Sequence, residues 1–168
     1  MLVFKNVLSD ETIKDVHIDI SNKLKERCWG LSDFTWQPEL IKGITGNCAS
    51  TSVESPIFEK IVCDIESHLP QTYTHLLMSY YIWTRNSGIA SHTDAAPFYS
   101  FGASLYLNRD WDEDYGGLFV YEDDGIKKVI APEFNTMVVN DKLTSHKVTS
   151  VSPLANQMRM SLQIWGAK

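Results

Sequence analysis

RMSLQIWG, residues 159–166, decides how this chain folds. Arg159, Ser161, Gln163 and Trp165 alternate with Met160, Leu162 and Ile164, the period of two that puts successive side chains on opposite faces of a β-strand. One face is apolar and suited to a core. The other carries a guanidinium, a hydroxyl and an amide, and two readings are open for it. An edge strand would leave these groups in water. A strand inside a hollow sandwich would turn Arg159 and Ser161 into a cavity, and a buried cation implies an anionic ligand, gripped by the Arg fork.

The same texture extends upstream to about Pro70. Residues 76–83 (LLMSYYIW), 100–107 (SFGASLYL), 117–121 (GLFVY), 126–130 (IKKVI), 135–139 (NTMVV) and 146–151 (HKVTSV) are short, rich in β-branched and aromatic residues, and separated by Gly, Asn, Asp and Pro. Several short strands at this spacing predict a sandwich or barrel. Before Pro70 the pattern differs. Leu2-Val3-Phe4 reads as a short strand, and Ser9 as a helix cap followed by Asp10 and Glu11 at the positive end of the dipole. Ile13, Val16, Ile20 and Leu24 then mark one helical face up to about Arg27. Ser55-Pro56 reads as the start of a second helix with face Phe58, Ile61, Val62, Ile65 and Leu69, ended by Pro70. The expected fold is α+β, mainly β, in one domain over 1–168: a helical part, 1–70, laid on one sheet of a β core, 71–168.

Composition narrows the function. The chain has 168 residues, 43% apolar and 11% aromatic, with five Trp and seven Tyr, enough for a core without disulfide staples. Lys and Arg number 15 against 21 Asp and Glu, a net charge of −6, which argues against a nucleic-acid partner. Cys28, Cys48 and Cys63 form no Cys-x-x-Cys and are odd in number, as expected of reduced thiols. No signal peptide or membrane-length apolar run is visible, so a cytoplasmic protein with no membrane partner is expected.

Of five histidines, His17 on a helix flank, His68 in a last helical turn and His75 in a turn have structural explanations. His92 differs because SHTDAAP (91–97) places Asp94 two residues on. In extended chain both side chains point to one side, so His-x-Asp delivers an imidazole and a carboxylate to one point. One further histidine would complete a 2-His-1-carboxylate set, which leaves cis positions open on Fe(II). His146 is the only histidine after Asp94, in TSHKVTSV.

His92-x-Asp94, His146 and Arg159-x-Ser161, in that order, resemble the Fe(II)- and 2-oxoglutarate-dependent dioxygenases. SLYLNRDWDEDYGGLFVYEDD (104–124), with its YLN segment, Trp-containing loop and Gly-Gly pair, is similar to the prolyl-hydroxylase branch. So is IAPEFNTMVVND (130–141), which precedes the last histidine, and so is the opening MLVFKNVLSDETI. The resemblance implies a double-stranded β-helix, or jelly roll. It implies Fe(II) held by His92, Asp94 and His146, and 2-oxoglutarate held by Arg159, with Tyr106 and Ser161 at the same carboxylate. O2 is the remaining co-substrate, and the presence of Asp94 favours hydroxylation over halogenation. The implied substrate is a peptide or protein residue, with a free amino acid or small metabolite as the alternative, and the implied state is a monomer or weak homodimer.

The branch often places a second Tyr about ten residues before the His-x-Asp pair. Here Tyr80 and Tyr81 lie further upstream and Trp83 falls nearer, so the residue lining the site stays open among them. Trp83, Trp111, Tyr115 and Trp165 are expected near the cavity or its mouth. Asp110, Asp112, Glu113 and Asp114 are expected in a solvated loop. Three rival readings remain. A nucleic-acid demethylase would carry a second Arg six residues after Arg159, where this chain has Trp165. A cupin-like binding domain without turnover would have no use for Arg159. A zinc hydrolase would need a general base at a telling spacing, and none is present.

Overall fold

Two antiparallel sheets face each other, in a computed structural model that describes residues 1–168. The elements run β1 (Leu2–Lys5), α1 (Asp10–Glu26), β2 (Gly30–Leu31), β3 (Cys48–Ser52), α2 (Ile57–Ile65) and β4 (His75–Trp83). Then come β5 (Ile89–His92), β6 (Tyr99–Tyr106), β7 (Phe119–Asp123), β8 (Ile126–Ile130), β9 (Thr136–Asn140), β10 (His146–Val148) and β11 (Arg159–Ala167). The larger sheet has the order β1-β9-β6-β11-β4-β3-β2, and the smaller β5-β10-β7-β8. This is the expected mainly-β fold, consistent with a jelly-roll core.

β11 lies near the centre of the larger sheet, paired along its length with β4 and β6. It is not an edge strand, and side chains on both of its faces are buried. On the outer face Leu162 and Ile164 join Met78, Tyr80, Leu105, Met137 and Val139 against Ile13, Val16 and Ile20 of α1 and Ile61 and Ile65 of α2. On the inner face Tyr106 and Val138 meet Phe119 of the smaller sheet.

α1 follows the sequence reading closely. The Ser9 side chain accepts from the Thr12 N–H, Asp10 and Glu11 occupy the first turn, and Arg27 closes the end in the left-handed region, φ 58°. Leu24 departs from it and is exposed. α2 is shorter than its pattern suggests. Ser55 makes no cap bond, the helix begins at Ile57, and a 3₁₀ turn over Glu66–His68 replaces its last turn. Three strands break the expected order. β2 and β3 lie between the helices and extend the larger sheet, and β5 adds an edge to the smaller one. Their sequences, GL, CASTS and IASH, are too short or too rich in small residues to show alternation. His75 opens β4 rather than sitting in a turn, and the strand that begins at His146 ends at Val148, with Val151 making only an isolated bridge to Gly116.

Candidate metal centre

His92 ends β5 and His146 begins β10, and the antiparallel register sets the two directly opposite each other. Their ring centroids are 4.5 Å apart. Asp94 follows just past the end of β5. Its Oδ1 is 3.7 Å from His92 Nε2 and its Oδ2 is 3.7 Å from His146 Nε2. One donor atom from each residue can be chosen so that all lie within 4.8 Å of one another.

The surrounding bonds aim these donors. His92 Nδ1 lies 2.9 Å from the Ala90 carbonyl and His146 Nδ1 3.1 Å from that of Thr144. A carbonyl only accepts, so each Nδ1 carries the proton and each Nε2 presents a lone pair toward Asp94. Asn140 holds the Thr144 segment by two bonds of 2.8 Å. Thr93, between the two expected ligands, donates to the Leu143 carbonyl at 2.7 Å and so ties the His-x-Asp turn to the loop before His146. The His146 ring stacks on Phe119 with centroids 4.7 Å apart. Burial holds its pKa below the usual imidazole value, which favours the neutral ligand form. Gly102 leaves room for the carboxylate, because a Cβ there would come within 3.1 Å of Asp94 Oδ2. Two imidazoles and a carboxylate, with lone pairs aimed at one point, fit a divalent ion of the iron type.

Arg159, Tyr106 and Ser161 form a second group, on the paired strands β11 and β6. All three are fully buried. Arg159 Nε donates to the Gly117 carbonyl at 2.9 Å and Nη1 to Ser161 Oγ at 3.4 Å. No carboxylate of the chain pairs with it. Burial lowers its pKa, opposed by the neighbouring Tyr106 and Cys48. Tyr106 Oη is buried with no hydrogen-bond partner, and burial pushes its pKa up to about 12, so it remains a donor at neutral pH. A lone buried guanidinium costs several kcal/mol. Beside a donor with nothing to bind, it fits a carboxylate supplied by a ligand.

Gly117 has φ +63°, and a Cβ built on it would lie 2.6 Å from Arg159 Cδ. Gly117→Ala is therefore expected to cost about 1–3 kcal/mol in unfolding free energy, from backbone strain and displacement of Arg159. A urea midpoint equal to wild type would refute this role.

The metal-centre group opens into a narrow cleft of about 70 Å³ between the sheets, whose lining includes Trp36, Tyr81, Trp83, Ser104, Gln163 and Trp165. Tyr81 and Trp83 alternate with Tyr80 on β4, which places them on the cleft side and Tyr80 in the outer core. This answers the question the sequence left open. Trp36 stacks on Trp83 with centroids 5.5 Å apart, and Tyr81 continues the wall to Trp165 at 6.2 Å. Trp111 and Tyr115, expected near the cavity or its mouth, do not line the cleft itself. They pack on each other, centroids 5.5 Å apart, against the apolar cluster that backs the cleft wall and includes Trp83 and Ile89. Sequence reasoning gave no role to Trp36, Ser104, Asn140 or Gln163. Of these only Gln163 carried a signal, its place on the Arg159 face of β11. The acidic residues of 110–114 are exposed, as expected of a solvated loop.

Residues 76–166 match the model of the 2OG-Fe(II) oxygenase superfamily. A search of curated protein sequences found no match. Among solved structures, a prolyl-4-hydroxylase of Pseudomonas putida is similar at a TM-score of 0.78 and 14% identity, over 99% of this chain and 92% of that one. A prolyl hydroxylase from Trichoplax adhaerens, in complex with a hypoxia inducible factor oxygen degradation domain peptide fragment, gives 0.75 and 15%, over 99% and 82%. A 2OG-Fe(II) oxygenase family oxidoreductase from Burkholderia pseudomallei gives 0.56 and 22%, over 72% and 68%. At these identities the likeness is one of fold.

Proposed function

Because the chain belongs to the 2OG-Fe(II) oxygenase superfamily, we propose that it hydroxylates an aliphatic C–H of a peptide residue, with proline the first candidate. The family's cofactor is Fe(II), and its co-substrates are 2-oxoglutarate and O2. In this reading His92, Asp94 and His146 hold the iron, while Arg159, Tyr106 and Ser161 take the far carboxylate of 2-oxoglutarate. Bound iron would couple the oxidation of 2-oxoglutarate by O2, to succinate and CO2, to hydroxylation of the substrate, one oxygen atom going to each product. The chain's own residues do the positioning. The two Nδ1–H···O=C bonds fix both imidazoles with Nε2 inward, Asn140 and Thr93 hold the loops that carry them, and Phe119 covers one face of His146. Arg159 and Tyr106 meet an anionic ligand with donors already desolvated, so little reorganisation accompanies binding.

One observation carries the substrate proposal: the cleft beside His92, Asp94 and His146 is open to solvent and walled by Trp36, Tyr81, Trp83 and Trp165. Flat aromatic faces suit an alicyclic ring, and an open cleft admits a chain that continues at both ends. The peptide bound to the Trichoplax adhaerens neighbour supports the same reading. The test is succinate formation with Fe(II) and 2-oxoglutarate against proline-containing peptides, peptides lacking proline, and free amino acids. Stimulation by the first group alone is expected. Stimulation only by a free amino acid would reassign the substrate.

A further inference from the structure

We propose that Gln163 is a positioning residue that sets the direction of the Ser161 hydroxyl and so makes it a donor to the co-substrate's carboxylate. The inference rests on the reading of the Arg159 pocket given above. Gln163 is the next residue but one after Ser161 on the inner face of β11, and it is opposite Ser104 of β6 in register. The Ser104 hydroxyl donates to Gln163 Oε1 at 2.7 Å. With its oxygen engaged there, the amide turns its nitrogen the other way, and Nε2 donates to Ser161 Oγ at 3.2 Å. Arg159 Nη1 donates to the same oxygen at 3.4 Å.

The consequence follows from counting. A serine oxygen has two lone pairs and one proton. Arg159 and Gln163 occupy both lone pairs, and no acceptor in the protein takes the proton. Ser161 is fully buried, so its O–H is left to point at whatever the pocket binds. Were the residue at 163 an acceptor instead, the Ser161 proton would turn toward it and away from the ligand. Gln163 and Ser104 also line the cleft that holds His92, Asp94 and His146. The chain Ser104–Gln163–Ser161–Arg159 therefore runs from the metal centre's cleft to the buried guanidinium, along the floor of one sheet.

The test is calorimetric titration of 2-oxoglutarate into the protein loaded with Mn(II) in place of Fe(II), without oxygen. Gln163→Met, which keeps the length and removes the donor that orients the hydroxyl, is expected to weaken binding about threefold, the cost of fixing one freed rotor on binding. Gln163→Glu, close in shape and a pure acceptor, is expected to weaken it further. In a Ser161→Ala background Gln163→Met should have no additional effect, because the residue acts through the hydroxyl. An equal loss in both backgrounds, or unchanged affinity in the single variants, overturns the proposal. Binding that is lost with Arg159→Ala yet indifferent to Gln163 overturns this inference alone. Failure of the unmodified protein to bind 2-oxoglutarate overturns it together with the reading of the pocket.

Discussion

Replacing His146 with alanine is expected to lower succinate formation by more than about 100-fold, since even the outer partners of a metal ligand cost 10–100-fold when removed. The side chain is buried, is opposite His92 across a strand pair, and turns Nε2 toward Asp94 at 3.7 Å. Without it a two-donor remnant is left on one edge of the smaller sheet. Loss of the ring also removes a stacking partner from Phe119, so activity alone would not separate a missing ligand from a damaged core. A second measurement separates them. Anything that binds the folded state alone raises its unfolding temperature by mass action. Mn(II) should raise that of the unmodified protein and leave the variant's unchanged. A variant that is still stabilised by Mn(II) and still turns over would remove His146 from the ligand set.

Arg159 carries the other large effect. Arg159→Ala is expected to raise the 2-oxoglutarate concentration needed for half-maximal turnover by about 100-fold or more, the loss of two charge-assisted bonds in a dry pocket. Arg159→Lys should recover only part of this, because an ammonium cannot donate to Gly117 and also grip a carboxylate as a fork. Stability should move the opposite way. The guanidinium is 1% exposed and has no carboxylate partner, so in the ligand-free protein it is a desolvated cation. Arg159→Met, similar in length and apolar, is expected to leave ligand-free stability unchanged or raise it by about 1–4 kcal/mol, read from the urea midpoint. An unchanged co-substrate requirement in Arg159→Ala would contradict the assigned role. A strongly destabilised Arg159→Met would show that the residue is held chiefly for structure.

Both predictions trace back to residues that stood out in the sequence, and the reason is chemical. Imidazole, carboxylate and guanidinium are costly to bury, so at strand spacing they needed either water or something to bind, and the family resemblance pointed to the second. The long strands were legible for a related reason. β4, β6, β9 and β11 bury one face against helices, and their apolar residues alternate or run together accordingly. β3, with CASTS, and β5, with IASH, were not legible, because their pairing rests on backbone bonds to β4 and β10 that impose no side-chain pattern. Trp36 was invisible for the same reason. It follows a short 3₁₀ turn, and only the packing of that segment brings its ring onto Trp83.

The sequence by itself determined the class of fold and singled out His92, Asp94, His146 and Arg159 as groups that need water or a partner, since that follows from what a side chain costs in water or out of it. Only the tertiary structure decided that β11 is central rather than an edge, that Tyr81 and Trp83 rather than Tyr80 face the cleft, and that Ser104 and Gln163 link the two halves of the site. Those outcomes depend on which strand lies beside which and in what register. Such pairing joins residues far apart in the chain, and no local pattern encodes it.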